Sequence, residues 1–269
     1  MDNIVIIGCS SGIGLATALY LKDKMIKVYP TARKEEDVIK LKELGFENAF
    51  FLDVTKPQTI KETIESVLQK DGKIDVWFNN AGYGQLGAIE DLDTNLLREQ
   101  FETNVFGLHE ATKEVLKVMR KQGYGKIIQH SSILGLVSLP FRGAYNASKY
   151  AIEALSDTLR LELDGSNIHV VLLNTGPIYS KFRANALKTL EKIDIENSFF
   201  KEYYIAAKEG KAKRVPFALE ADAVASVVHK IILTNNPSPR YYITLASYLL
   251  AFAKRVLPTA LLDKVLLRV

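Results

Sequence analysis

Cysteine is almost missing from this chain: Cys9 is the only one in 269 residues. That excludes an intrachain disulfide and suits a reducing compartment. Runs of like charge are missing too. Lys plus Arg number 35 and Asp plus Glu 31, a net +4 with no block of five like charges, so no nucleic-acid arm is expected. The four histidines lie far apart without metal-ligand spacing, and no metal site is expected. No basic leader with a cleavage site precedes the first apolar run, which argues against a secretory signal. The longest uncharged stretch near the end, Tyr241 to Ala253, has 13 residues, against the ~20 needed to span a bilayer. A cytoplasmic location is therefore expected. What is present is ordinary globular composition, 48% hydrophobic and 25% charged. A chain of this length buries roughly 70–75% of its unfolded surface and needs no staples.

Short β-branched runs alternate with longer helical ones. Strands are expected at Asn3–Ile7, from Lys27, and at Ala49–Leu52, Ile74–Phe78, Gly125–Gln129 and Ile168–Leu173. Helices are expected at Leu15–Lys24, Glu35–Leu44, Thr59–Gln69, Thr94–Gln122 and Tyr145–Leu163. Continuous apolar strands alternating with helices mean a parallel sheet covered on both faces, in one doubly wound α/β domain. A mostly helical insertion, 181–214, breaks the rhythm after the sixth strand, where ligands of such sheets bind. A helix (Ala221–Leu233), a short strand (Tyr241–Ile243) and an apolar tail follow. The expected division is 1–240 for the catalytic domain and 241–269 for the tail.

The first strand ends in Gly8-Cys9-Ser10-Ser11-Gly12-Ile13-Gly14, and a helix follows at once. Gly8 permits the tight turn, Gly12 lets the backbone approach a pyrophosphate, and Gly14 lets the helix pack on the sheet. The helix N-terminus then faces the phosphates. An ordinary glycine-rich turn is the bland alternative. At the end of the second strand an acid would select NAD. This chain has Thr31-Ala32-Arg33-Lys34 there, with no acid. Arg33 can grip a 2′-phosphate, with Ser10 or Ser11 donating to the same group, so NADP(H) is preferred to NAD(H).

Tyr145 and Lys149 are one helical turn apart and share a face. A nearby cation favours the phenolate, which suits a tyrosine that moves the proton of an alcohol–ketone interconversion. The spacing alone is weak, because it also occurs at Tyr20/Lys24 and Tyr204/Lys208. Only the Tyr145 pair follows a strand end with exposed hydroxyls, Ser131-Ser132, before Gly135.

Gly8 to Gly14, Asn79-Asn80-Ala81-Gly82, Ser132, Tyr145-Asn146-Ala147-Ser148-Lys149 and Gly176-Pro177 together resemble the classical short-chain dehydrogenases/reductases over roughly residues 1 to 235. The turn and the Gly-Pro-Ile segment look most like the 17β-hydroxysteroid and retinol dehydrogenase branch. The resemblance implies a Rossmann-type sheet and a hydride transfer between NADP(H) and a carbonyl or alcohol carbon. It implies that Tyr145 donates or accepts the proton, that Lys149 lowers its pKa and binds the nicotinamide ribose, and that Ser132 hydrogen-bonds the substrate oxygen. Asn104 matches the asparagine that holds a proton-relay water. Asp53 and Val54 match the adenine contact, and Asn80, Ala81 and Gly82 the adenosine side. Ile178 and Ser180 match carboxamide anchors. Two departures stand out: Thr175-Gly176-Pro177 where the family has Pro-Gly after the sixth strand, and Ser180 where it has threonine. Cys9 is expected to be a small packed residue. His130 is expected to point away from Ser132 and is given no catalytic role.

Leu134, Val137, Tyr83, Gln85, Tyr179 and the insertion are expected to build an apolar pocket for a lipophilic aldehyde, ketone or secondary alcohol. Lys181 and Arg183 keep an acidic group open, and Phe199, Phe200 and Tyr203 have a packing alternative. The tail carries two short amphipathic segments split by Pro258. Packing or a subunit contact competes there with peripheral membrane binding. A homo-oligomer is expected from the resemblance. An NADP-sensing binding protein and a nucleotide-sugar epimerase or dehydratase relative are the rival functions.

Overall fold

The computed structural model describes residues 1–209 and 217–268. The last residues of the expected insertion, 210–214, and Val269 lie outside the described residues. The elements are β1 (Asn3–Ile6), α1 (Gly12–Lys22), β2 (Lys27–Ala32), α2 (Glu35–Glu43), β3 (Phe50–Phe51), α3 (Pro57–Asp71), β4 (Val76–Asn79), α4 (Thr94–Phe101), α5 (Leu108–Gln122), β5 (Tyr124–Ser132), α6 (Gly143–Glu162) and β6 (Asn167–Thr175). Then come β7 (Ile178–Tyr179), α7 (Phe182–Lys188), α8 (Lys201–Lys208), β8 (Leu219–Glu220), α9 (Ala221–Leu233), β9 (Arg240–Tyr242), α10 (Leu245–Val256) and α11 (Thr259–Leu266).

Seven strands form one parallel sheet in the order β3-β2-β1-β4-β5-β6-β9. The alternation of each strand splits its apolar residues between two cores. Ile4 and Ile6 join α1, α2 and α9 on one face, through Ala18, Leu41 and Val228. Val5 and Ile7 join α3, α5 and α6 on the other, through Ile64, Val115 and Ile152. Each fully buried Leu or Ile is worth roughly 1.5–3 kcal/mol against exposure. The order reverses between β1 and β4, and their carboxyl ends open the crevice where doubly wound sheets hold ligands.

Two elements differ instructively from the sequence reading. The helix expected over Thr94–Gln122 is not one α-helix. Glu102–Gly107 forms a π-helical turn between α4 and α5. Gly107 packs so tightly on Val54 that a Cβ would lie 2.7 Å from the Val54 Cβ. The Asn104 amide at the same turn is drawn to the Tyr83 main chain. Such turns gather at functional sites. β5 runs three residues beyond Gln129, because its pairing continues to Ser132↔Thr175. Polar side chains there hide a buried strand end.

The insertion builds a small core of its own, with Leu190, Ile193 and Tyr204 against Ala88 and Leu96. The tail folds as α10 and α11. Ala251, Leu262 and Leu266 pack on Ile133, Leu134 and Val137. No described helix is long and apolar enough to cross a membrane.

Candidate active site

The glycine turn sits at the mouth of the crevice, and β2 clamps it. The Cys9 N–H donates to the Thr31 carbonyl at 2.7 Å, and the Thr31 hydroxyl donates to the Ile6 carbonyl at 3.1 Å. Gly8 has φ +84°. At Gly14 a Cβ would lie 2.2 Å from the Gly8 carbonyl oxygen, so only glycine brings α1 down onto the turn. Ser11 caps α1 in an extended conformation without a side-chain bond, and the first turn carries no acid. Its N–H groups are left for an outside acceptor, the arrangement of an anion site. Ser10 is exposed, and Ser11, Gly12 and Ile13 are half-buried around it. Cys9 is fully buried, its Sγ–H donating to the Ile6 carbonyl at 3.4 Å, and burial pushes the thiol up to about 12. It packs as the sequence implied.

Arg33 and Lys34 follow β2, exposed, and neither side chain bonds or pairs with the described residues. Asp53 follows β3 and turns the chain on itself, accepting from the Thr55 N–H (3.0 Å) and hydroxyl (2.8 Å). Val54 is buried against Gly107. These lie along the β2–β3 side of the carboxyl edge, away from the tyrosine.

Asn80, one residue past β4, donates its amide to the Ile7 and Gly8 carbonyls at 3.1 and 2.9 Å. Its Oδ1 must then accept, so His130 Nδ1, 3.1 Å away, carries the imidazole proton. His130 Nε2 in turn accepts from the Thr175 hydroxyl at 3.2 Å. Burial, then the Lys149 charge, pulls His130 down to about 3, so the ring is neutral. This corrects the expected orientation. Residues two apart on a strand share a face, and His130 and Ser132 both reach Thr175, the Ser132 hydroxyl donating to its carbonyl at 3.4 Å. Ser131, between them, points to the opposite face and α6.

Tyr145 stands on the first turn of α6 with Phe182 over it, the ring centroids 5.4 Å apart. Lys149, one turn on, is buried and donates to the His130 carbonyl at 2.5 Å. Its Nζ is 5.7 Å from the Tyr145 ring centroid. Burial pushes the phenol up to about 12, against the Ser132 hydroxyl and the Arg142 cation, which favour the phenolate. Burial also pulls Lys149 down to about 8, with Glu153 opposing the fall. Lys149 is not among the groups that lower the phenol here: burial dominates, and the ammonium is turned to the His130 carbonyl. At neutral pH the pair is a phenol beside an ammonium, a proton donor with a cation at its foot.

Asn104 is fully buried. It accepts from the Tyr83 N–H (3.1 Å) and donates to the Tyr83 carbonyl (2.9 Å) and to Ser148 Oγ (3.2 Å), tying the segment that carries Ala81 and Gly82 to α6. Ser180 reaches over the turn: its Cβ lies 3.5 Å from where a Cβ of Gly12 would stand. Ile178 packs on the core behind the turn, and Gly176 lies against Thr244 at the start of α10.

Several residues expected to line the pocket are engaged elsewhere. Gln85 is fully buried and spends its amide on the Leu86 and Thr189 carbonyls. Val137 is covered by the tail. Phe200 and Tyr203 pack against Phe141, whereas Phe199 is 89% exposed. Sequence reasoning missed Thr31, Arg142 and Glu153. Glu153, four residues past Lys149, and Arg142, three before Tyr145, had a readable signal in their spacing. Among the described residues no cluster of His, Cys, Asp or Glu is placed to hold a metal ion.

Residues 2–191 match the short chain dehydrogenase family. The chain is 37% identical over 265 residues to the uncharacterized oxidoreductase YbbO of Escherichia coli, covering 98% of this chain and 93% of YbbO. It is 35% identical over 259 residues to the 3-ketodihydrosphingosine reductase of Bacteroides thetaiotaomicron, covering 95% and 93%. It is 30% identical over 256 residues to 17-beta-hydroxysteroid dehydrogenase type 1 of Homo sapiens, covering 90% and 77%. The solved structure of ElxO with NADP bound superposes with a TM-score of 0.73 at 25% identity, covering 90% of this chain and 96% of that one. The seven-stranded sheet, the glycine turn at its reversal point and these matches agree: the chain belongs to the short-chain dehydrogenase family of oxidoreductases.

Proposed function

We propose that this oxidoreductase interconverts a carbonyl and an alcohol on a lipophilic molecule, using NADP(H). One observation carries the reading. The buried Lys149, the Tyr145 phenol and the Ser132 hydroxyl meet at the sheet's carboxyl edge, beside an α1 N-terminus open to phosphate. That donor set fits a dinucleotide. The uncapped first turn of α1 with Ser10, Ser11, Gly12 and Ile13 would hold the pyrophosphate. Asp53, Val54, Asn80, Ala81 and Gly82 would flank the adenosine, and Gly176, Ile178 and Ser180 the nicotinamide. The nicotinamide, when bound, supplies or takes the hydride. Tyr145, a phenol at neutral pH, gives its proton to the nascent alkoxide in reduction. Ser132 donates to the same oxygen, a contact that strengthens as charge develops there. Lys149 supplies the cation, and Asn104 positions the loop opposite.

Arg33 and Lys34, standing at the end of β2 where an NAD enzyme carries an acid, support NADP(H) over NAD(H), as does the NADP in ElxO. The exposed Tyr179 and Phe182 at the mouth, together with the lipid and steroid named in two relatives, support a lipophilic substrate. Oxidation of NADPH and of NADH should be followed across aldehydes, ketosteroids, retinoids, acyl ketones, small sugars and polar keto acids. Turnover of the lipophilic carbonyls with NADPH is expected; turnover of only the sugars or keto acids would overturn the substrate reading.

The tail supports a peripheral role at a membrane. Leu245, Tyr248, Leu249, Phe252 and Val256 form an exposed stripe along α10. The same tail carries Lys254, Arg255, Lys264 and Arg268 against one acid, Asp263. Exposed Phe106, Leu155 and Leu161 beside and along the helices that flank the site support a homo-oligomer. We assign the catalytic unit to 1–240 and the docking tail to 241–269, with β9 (Arg240–Tyr242) joining the tail to the sheet.

A further inference from the structure

Tyr145, Lys149, Glu153 and Asp157 recur every four residues along α6 and share one face. The third of these is a buried acid that the catalytic reading leaves unused. One oxygen of Glu153 accepts from the Ser131 hydroxyl and from the Asn174 amide at 2.6 Å. The other accepts from Arg240 Nε at 3.2 Å and Nη2 at 2.9 Å. Arg240 comes from β9 and also reaches Asp157 at 2.6 Å. Charges therefore alternate from the site outward: Lys149, Glu153, Arg240, Asp157. Its two other partners are the neighbours of Ser132 and Thr175. Gly135 leaves the carboxylate room, since a Cβ there would lie 2.8 Å from Glu153 Cγ.

A buried ion pair of this kind gains little stability over well-packed apolar groups. Its place is the informative feature: Glu153 lies one turn from Lys149 on the same buried face of α6. We propose that Glu153, held by Arg240, Ser131 and Asn174, is a positioning residue that keeps Lys149 cationic beneath Tyr145 and thereby sets the alkaline limit of turnover. The proposal rests on the catalytic reading of Tyr145 and Lys149. Three titratable groups face Lys149: Tyr145 and Glu153 from its own helix and His130 from β5. Arg240 and Asp157 stand behind Glu153. Tyr145 and His130 are neutral at physiological pH, so Glu153 is the facing charge. Burial alone lowers Lys149, and Glu153 opposes it.

Two substitutions give opposite signs. Glu153→Gln removes the negative charge and leaves Arg240, so the Lys149 titration should fall by about one pH unit. Arg240→Met removes the competing cation, and the titration should rise. Glu153→Asp keeps the charge and should stay near the native value. The titration is read in cofactor-free protein by NMR of 13C-labelled lysine, with Lys149 assigned through Lys149→Arg. The pH profile of NADPH oxidation with an aromatic aldehyde is read in parallel. Movement of the Lys149 titration and of the alkaline limb together, down in one variant and up in the other, supports the proposal. At alkaline pH the Glu153→Gln variant should then lose about tenfold in turnover while keeping near-native turnover at pH 6. An unmoved Lys149 titration overturns the proposal and leaves the catalytic reading standing. A titration that moves while the rate profile stays fixed overturns the role of Lys149 in turnover. Should Glu153→Gln fail to fold, Arg240→Met and Glu153→Asp carry the same test.

Discussion

Individual side chains divide into those whose chemistry is written in their type and those defined by what lies across a strand. Arg33 is of the first kind: a cation where an NAD enzyme needs an acid, solvated and unpaired with the described residues. Arg33→Asp should weaken NADPH binding about 10–100-fold, the worth of one charge-assisted contact to phosphate, and shift the NADPH/NADH preference in kcat/KM toward NADH. An unchanged ratio would remove Arg33 from cofactor selection. His130 is of the second kind. Its role follows from Asn80 and Thr175, which come from other strands. Its ordinary pKa of 6.5 drops to about 3 on folding, so the unfolded chain binds the extra proton between those values. Stability is therefore full above about pH 6.5 and lost as pH falls toward 3, by as much as several kcal/mol. Urea unfolding at pH 7 and pH 4.5 should show the loss, and His130→Asn should flatten it. Thr31 was illegible for the same reason: the turn it clamps lies more than twenty residues away.

The alternation of strands and helices was readable because each strand is buried on both faces and each helix on one, which fixes the periods of two and 3.6. The helix Ala221–Leu233 falls where its periodicity puts it. What failed were places where tertiary contacts override local pattern. The polar His130-Ser131-Ser132 triplet reads as a strand end, yet its pairing to β6 and its bonds to Asn80, Thr175 and Glu153 keep it in the sheet. The π-helical turn before α5 has no propensity signature; Gly107 against Val54 and Asn104 against Tyr83 impose it. Gly107→Ala should thus cost about 1–3 kcal/mol in chemical denaturation through overpacking, and should weaken NADPH binding through the displaced Val54. Native stability in that variant would show that the turn yields freely.

One parallel sheet of seven strands carries the site at its order reversal, and the tail lies over the Ile133–Val137 segment near Tyr145. The motifs announced that arrangement; the tail's apolar pattern could not say which face would pack and which would stay exposed. The protein should co-sediment with vesicles containing phosphatidylglycerol and much less with phosphatidylcholine alone. Leu249→Glu with Phe252→Glu should reduce that binding at least about tenfold while leaving turnover of a soluble aldehyde unchanged. A dimer lost in the same double variant, without vesicle binding, would make the stripe a subunit contact. The central claim concerns the phenol. Tyr145→Phe keeps the ring and its packing on Phe182 and removes the proton donor. Titrated with NADPH and assayed on the best carbonyl of the panel, it should bind the cofactor as the native protein does and lose turnover by at least about 100-fold. Cofactor binding with full turnover would contradict Tyr145 as the proton donor.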